Sequence, residues 1–110
     1  MKQGEIWELY LDPIKGNEQG GRRPGLIISG NLLNEYLGVV IVLPLTTKIK
    51  NYKGNVVLEP DVKNGLAGSS EVLLFHIRSV SKDRLKKKLG IVEEPVIKEL
   101  ITNLNDILRY

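Results

Sequence analysis

The stretch VVIVLPL, Val39 to Leu45, decides the fold. Val39, Val40, Ile41, Val42 and Leu43 follow one another without a polar residue, which suits a strand buried on both faces, and a sheet is expected to be centred there. Upstream, Gly38 stops a short helix or turn over Ser29 to Leu37, and Leu26-Ile27-Ile28 reads as a buried strand. Farther back, Glu5 to Leu11 alternates, with Trp7, Leu9 and Leu11 on one face and Glu8 and Tyr10 on the other; Asp12-Pro13 ends it.

Downstream, Thr46 to Lys53 is polar and basic, and Asn55 to Leu58 is a further strand. Glu59 to Ser69 contains Pro60, Gly65 and Gly68 and is a loop. Val72 to Ile77 returns as a strand, Ser79 to Leu85 is a polar turn, and Lys86 to Val92 is a short strand interrupted by Gly90. The last element is a helix. Pro95 suits its first turn, Glu93 and Glu94 oppose its positive end, and Val96, Ile97, Leu100, Ile101, Leu104, Ile107 and Leu108 make one apolar stripe. Five or six short strands followed by one helix predict a mainly β (α+β) protein, a compact barrel or curled sheet closed by a C-terminal helix. At 110 residues, one domain spanning 1–110 is expected.

Composition narrows the function. The chain has no cysteine and only one histidine, His76, so thiolate and multi-histidine metal sites are excluded, and no carboxylate cluster suggests a metal or other cofactor. The opening MKQGEIWELY lacks the apolar run of a signal peptide, and nowhere do eighteen uncharged apolar residues follow one another. A cytoplasmic protein that uses no membrane is expected. Net charge is only +3, so the placement of cations says more than their sum. They gather at Arg22-Arg23, at Lys48, Lys50 and Lys53, and at Lys82, Arg84, Lys86, Lys87 and Lys88. The last run reads as solvated strand edge, where lysines discourage sheet-to-sheet pairing. The first falls in a Gly-, Pro- and polar-rich stretch from Asp12 to Pro24, long enough to be a functional loop.

GEIWELYLDP (Gly4 to Pro13), KGNEQGGRRP (Lys15 to Pro24), the LIIS after it, VLPLTT (Val42 to Thr47), Gly65-Leu66 and HIRSVSKDRL (His76 to Leu85) stand in series over nearly the whole chain. In this order and spacing the chain resembles the MazF/PemK (Kid-like) toxins, the mRNA interferases of type II toxin–antitoxin systems. The resemblance implies an SH3-like small barrel of antiparallel strands with a C-terminal helix, a homodimer, and cleavage of single-stranded RNA at short motifs. It also implies a cognate antitoxin whose disordered tail occupies the RNA groove.

RNA is cut without metal when its 2′-OH attacks the neighbouring phosphorus in line, giving a 2′,3′-cyclic phosphate and a 5′-OH. The protein then stabilises charge on the phosphoryl oxygens and assists proton transfer. Arg23, directly before Pro24, matches the family's catalytic arginine, whose planar fork meets two phosphate oxygens at once, whereas Arg22 stands where the family varies. Thr46 matches the catalytic hydroxyl residue, with Thr47 ranked second as its neighbour. Lys48 and Arg78 are candidate phosphate contacts, Arg78 being equally suited to a structural ion pair. Gly20 and Gly21 permit close approach of the loop to a nucleic acid, or only make it mobile, and Glu18 and Gln19 are placed to read base edges or position the attacking hydroxyl.

The chain departs from the pattern at Phe75-His76, where many relatives carry an acid followed by Gln. Histidine is the residue type suited to proton transfer at neutral pH, so His76 is a candidate to replace the missing acid, yet one His beside Phe on a strand is more often packed or hydrogen-bonded than catalytic. Phe75, if exposed, is suited to stack on a base. Two rival readings are a non-catalytic toxin of the same fold that binds a protein target such as gyrase, and a nucleic-acid-binding module.

Overall fold

The computed structural model describes residues 1–10 and 22–109. The described chain runs β1 (Glu5–Leu9), β2 (Arg23–Ile27), α1 (Asn31–Tyr36), β3 (Val39–Thr46), β4 (Val56–Leu58), β5 (Ser70–Val72), β6 (Arg78–Ser81), β7 (Leu85–Ile91) and α2 (Glu94–Ile107). Single 3₁₀ turns at Leu74–His76 and Lys82–Arg84 flank β6. The strands form one antiparallel sheet in the order β4-β5-β3-β2-β1-β7, with β6 also paired to β3. It is a mainly β fold, a curled half-barrel with a C-terminal helix.

β3 is the centre, as its apolar run predicts, because it pairs with three strands. On one edge Gly25, Leu26 and Ile27 of β2 oppose Pro44, Leu43 and Val42. On the other, Val39 to Val42 pair with β6, while Leu45 and Thr46 pair with β5. The change of partner falls at Leu43-Pro44. Pro44 has no N–H to give to a ladder, and its carbonyl accepts the Leu73 N–H at 2.8 Å. The two faces of the curled sheet enclose two clusters. Ile6, Leu26, Leu43, Leu45 and Leu74 pack with Ile97, Leu100 and Leu104 of α2. Leu9, Ile27, Val40, Val42, Val80 and Leu85 pack on the opposite face, with Trp7 at their margin. Each such side chain contributes about 1.5–3 kcal/mol by leaving water.

Several expectations are corrected. β3 is covered on both faces only in its second half: Val39 and Ile41 are 40% and 37% exposed. They share a face with Leu43 and Leu45, but the α2 cluster reaches only the latter pair. The strand expected over Val72 to Ile77 is broken, since the 3₁₀ turn at Leu74–His76 carries the chain from the β5 ladder to the β6 ladder. For the same reason Ser79 to Ser81 is strand and not turn. β2 begins at Arg23, three residues before the apolar run, with Pro24 opposite Glu8 in the ladder. Among the described residues the sheet has seven strands rather than five or six. The stripe is narrower than its apolar residues suggest, with Ile101 on α2 and Leu108 just past its end both exposed. Leu11 lies outside the described residues.

Gly65, the first residue of the Gly-Leu pair, has φ +67, and a Cβ there would lie 2.0 Å from the Leu89 carbonyl oxygen. Only glycine fits this approach of the 61–65 turn to β7.

Candidate nucleic-acid interface

β2 and β3 end side by side, and this places the predicted residues together. Arg23, the first residue of β2, and Pro24 form one wall of a concavity of about 340 Å³ whose other walls are Leu45, Thr46, Thr47, Lys48 and Ser70. Next along β2, Gly25 leaves room for the Leu9 side chain of β1, since a Cβ there would stand 2.6 Å from Leu9 Cδ2. Two cations, two threonine hydroxyls and a buried serine thus surround a space open to solvent. Ser70 is already committed, its hydroxyl donating to the Gly68 carbonyl at 2.9 Å.

Adjacent arginines are used differently. Arg22 Nη1 donates to Glu8 Oε1 at 3.0 Å, and its guanidinium lies 5.7 Å from the centre of the Tyr10 ring. Hydrogen bonding to Tyr10 and Glu8 raises its pKa above the ordinary value, so it is held as a charged, engaged group. Arg23 is exposed, and among the described residues no carboxylate lies within ion-pair range of it. Thr46 Oγ1 accepts the Lys48 backbone N–H at 3.1 Å. A hydroxyl that accepts keeps its own hydrogen as a donor, so Thr46 has a proton to offer. Lys48 and Thr47 are exposed at the mouth. The arrangement matches the needs of an anion with several oxygens: a planar cationic fork, a point charge and a neutral donor around one space.

The other predicted residues divide. Phe75 and His76 sit on the 3₁₀ turn and are both exposed, Phe75 by 71%, so His76 is not the packed side chain that a strand position implied. Phe75 faces a separate, broader concavity of about 890 Å³, shared with Tyr52, Asn55 and the α2 residues Asn103 and Ile107. Arg78 is half-buried on β6 opposite Val42 and does not line the Arg23 concavity. Glu18, Gln19, Gly20 and Gly21 lie outside the described residues. The lysines of β7 lie on an edge strand; Lys88 Nζ reaches Glu5 Oε2 at 3.1 Å and Lys86 lies over Tyr10, in keeping with the strand-edge reading. Among the described residues no group of three or more His, Cys, Asp or Glu is placed to hold a metal ion, and no helix is long and apolar enough to cross a membrane.

Two buried acids escaped the sequence reading. Glu5 is desolvated, which raises its pKa, but donors from the Trp7 indole, the Lys2 amide and Lys88 outweigh this and leave the pKa below the ordinary value. Glu71 is buried beside the candidate site. The Asn55 amide, with backbone N–H groups of Lys50, Tyr52 and Asn51, overcomes its desolvation and holds its pKa at about 2. A Glu directly before the apolar run Val72-Leu73-Leu74-Phe75 was the available signal.

Fold and site together define a small curled-sheet protein with a cationic, hydroxyl-bearing concavity where two central strands end. Residues 2–108 match the PemK-like, MazF-like toxins of type II toxin–antitoxin systems. The chain is 38% identical over 109 residues to an Endoribonuclease MazF of Staphylococcus saprophyticus, covering 97% of this chain and 89% of that protein. Its backbone superposes on MazF of Deinococcus radiodurans with TM-score 0.78 at 31% identity, covering 98% and 96% of the two chains. For a MazE-MazF structure from the same organism the TM-score is 0.81 at 31% identity, with 98% and 95% covered. The chain belongs to this MazF-like toxin family, the toxin–antitoxin endoribonucleases.

Proposed function

We propose that the protein cuts single-stranded RNA, messenger RNA in particular, without a metal ion, and that the Arg23–Thr46 concavity is where it does so. The observation that carries this reading is the convergence of uncommitted donors there: Arg23 without a carboxylate partner among the described residues, Thr46 with a hydrogen to donate, and Lys48 at the mouth. Attack of the 2′-OH on phosphorus breaks the bond to the 5′-oxygen and places extra negative charge on the phosphoryl oxygens. Arg23 binds two of these through its fork, Thr46 donates to one, and Lys48 holds a flanking phosphate. Thr47 and Arg78 are further RNA contacts, as are Glu18, Gln19, Gly20 and Gly21 just before Arg22 in the sequence, and Phe75 and His76 meet bases farther along the strand. The 2′-OH gives up its proton and the departing 5′-oxygen takes one; among the described residues lining the concavity there is no carboxylate or imidazole to accept the first.

The same reading makes the protein one domain over 1–110, resident in the cytoplasm, silenced by a cognate antitoxin and active as a homodimer. A second copy widens the groove that one small chain offers to an extended RNA. Self-association also accords with the exposure of Leu32, Leu33, Tyr36, Leu37, Val39 and Ile41 along α1 and the start of β3, since apolar side chains gathered in this way mark association surfaces.

The test is incubation with a long RNA in excess EDTA, with the product ends mapped. Discrete fragments carrying 5′-OH and 2′,3′-cyclic phosphate ends are expected. Activity abolished by EDTA and restored by magnesium or manganese refutes the mechanism. Tight binding without product supports the nucleic-acid-binding module, and gyrase inhibition without RNA cleavage supports the protein-binding toxin.

A further inference from the structure

Glu71 is the more deeply buried of the two acids that the mechanism does not use. It is 1% exposed on β5. Oε1 accepts the N–H groups of Lys50 at 2.7 Å and Asn51 at 3.1 Å, and Oε2 accepts those of Tyr52 at 2.9 Å and the Asn55 side-chain amide at 2.8 Å. Three successive backbone amides converging on one anion form a nest, which needs one residue in the left-handed region. Asn51 supplies it, with φ 54, a conformation Asn tolerates better than other side chains bearing a Cβ. The segment 47–55 is therefore shaped around the Glu71 carboxylate.

That segment also shapes the candidate site. It leaves β3 at Thr46, which stands directly opposite Glu71 in the β3–β5 ladder. Two residues on, the Lys48 N–H donates to Thr46 Oγ1; two residues farther, Lys50 is gripped by Glu71. On the far side, Asn55 donates to Glu71 and accepts the Leu74 N–H at 3.0 Å, tying the clasp to the turn that carries Phe75 and His76. We propose that Glu71 is a positioning residue: by clasping residues 50–52 it fixes the Lys48 N–H on Thr46 Oγ1 and so directs the Thr46 hydroxyl hydrogen into the concavity. This rests on the ribonuclease reading of that concavity given above.

A near-isosteric, neutral substitution tests it. Glu71→Gln turns an amide NH₂ toward a nest of donors, and the loop should open. Amide exchange at Lys48, Lys50, Asn51 and Tyr52 should accelerate while β1 and β2 amides keep their protection. Single-turnover cleavage, measured well below the melting temperature, should fall about tenfold or more in the maximal rate, with little change in the RNA concentration giving half-maximal rate. A residue that acts through Thr46 loses its effect when the hydroxyl is gone. In a Thr46→Val background, Glu71→Gln should therefore cost almost nothing further.

Unchanged exchange at Lys48, cleavage equal to the parent despite an open loop, or an equal loss in the Thr46→Val background each overturns the proposal. If Glu71→Gln fails to fold, Asn55→Ala enters the same cycle, because it removes one of the four donors and leaves the nest; the same non-additivity is expected and additivity overturns it. If the parent itself cuts no RNA, the ribonuclease reading falls, and exchange at Lys48 decides the positioning claim: faster in Glu71→Gln supports it, unchanged refutes it.

Discussion

The two concavities on this protein use polar groups in opposite ways. In the broad one beneath Phe75, the asparagines are spent on the fold: Asn55 bonds Glu71 and the Leu74 amide, and Asn103 donates to the Gly54 carbonyl at 2.9 Å. In the small one, Arg23, Thr46 and Lys48 retain donors that no described carboxylate consumes. The larger opening is thus a joint between the 52–55 segment and α2, and the smaller is where the proposed chemistry is placed. Volume alone would have pointed to the other. What distinguishes a site from a joint is whether its donors are already satisfied.

Substitutions on the two sides of this contrast should separate stability from turnover. Leu100, fully buried where α2 meets the sheet, is on the structural side. Leu100→Ala should cost about 2–5 kcal/mol of unfolding free energy in urea. Cleavage per folded molecule should be unchanged; a specific loss of turnover would carry the joint into the site. Thr46→Val is the reciprocal case, keeping shape and deleting the donor. Its rate should drop about a hundredfold, the usual consequence of losing one donor to a developing oxyanion, with the melting temperature shifted by only a few degrees. Parent-like turnover removes Thr46 from the mechanism.

Acid should weaken the clasp through protonation of Glu71. Glu71 has a folded pKa of about 2 against an ordinary 4.5, so its stabilisation is complete above 4.5 and is lost as pH falls toward 2. The unfolding midpoint of the parent minus that of Glu71→Gln should be flat from pH 8 to about 5 and shrink below about 4.5. A difference that grows on acidification contradicts the depressed pKa. The smallest effect is expected at His76, exposed on the turn and away from the concavity. His76→Gln should stay within about threefold of the parent rate, and a loss of about a hundredfold would mark it as the proton-transfer group.

Those features of the fold that depend on neighbouring residues were legible in the sequence. The run Val39 to Leu43 named the central strand, and Pro95 with Ile97, Leu100 and Leu104 named the closing helix and its buried face. The break at Leu73 to Ile77 was not legible, because VLLFHI has the composition of a strand. Its turn is set from a distance, by the Pro44 carbonyl and Asn55 Oδ1 receiving the Leu73 and Leu74 amides. At the site, Arg23 and Thr46 were found through their motifs, and the structure brings them to one concavity. Glu71 was missed because a lone acid has no periodicity, and its donors lie sixteen to twenty-one residues away along the chain.

The most direct test of the account exploits the adjacent arginines. Arg22 is paired with Glu8, and Arg23 faces the concavity. Single-turnover cleavage of one RNA in EDTA should be compared for the parent, Arg22→Ala, Arg23→Ala and Arg23→Lys, with melting temperatures recorded for each. The account predicts that Arg23→Ala is folded and slower by about a hundredfold or more, that Arg22→Ala is mild, and that Arg23→Lys regains RNA binding better than turnover, because it keeps the charge without the fork. Cleavage by folded Arg23→Ala at the parent rate, or a loss wholly explained by unfolding, would contradict it.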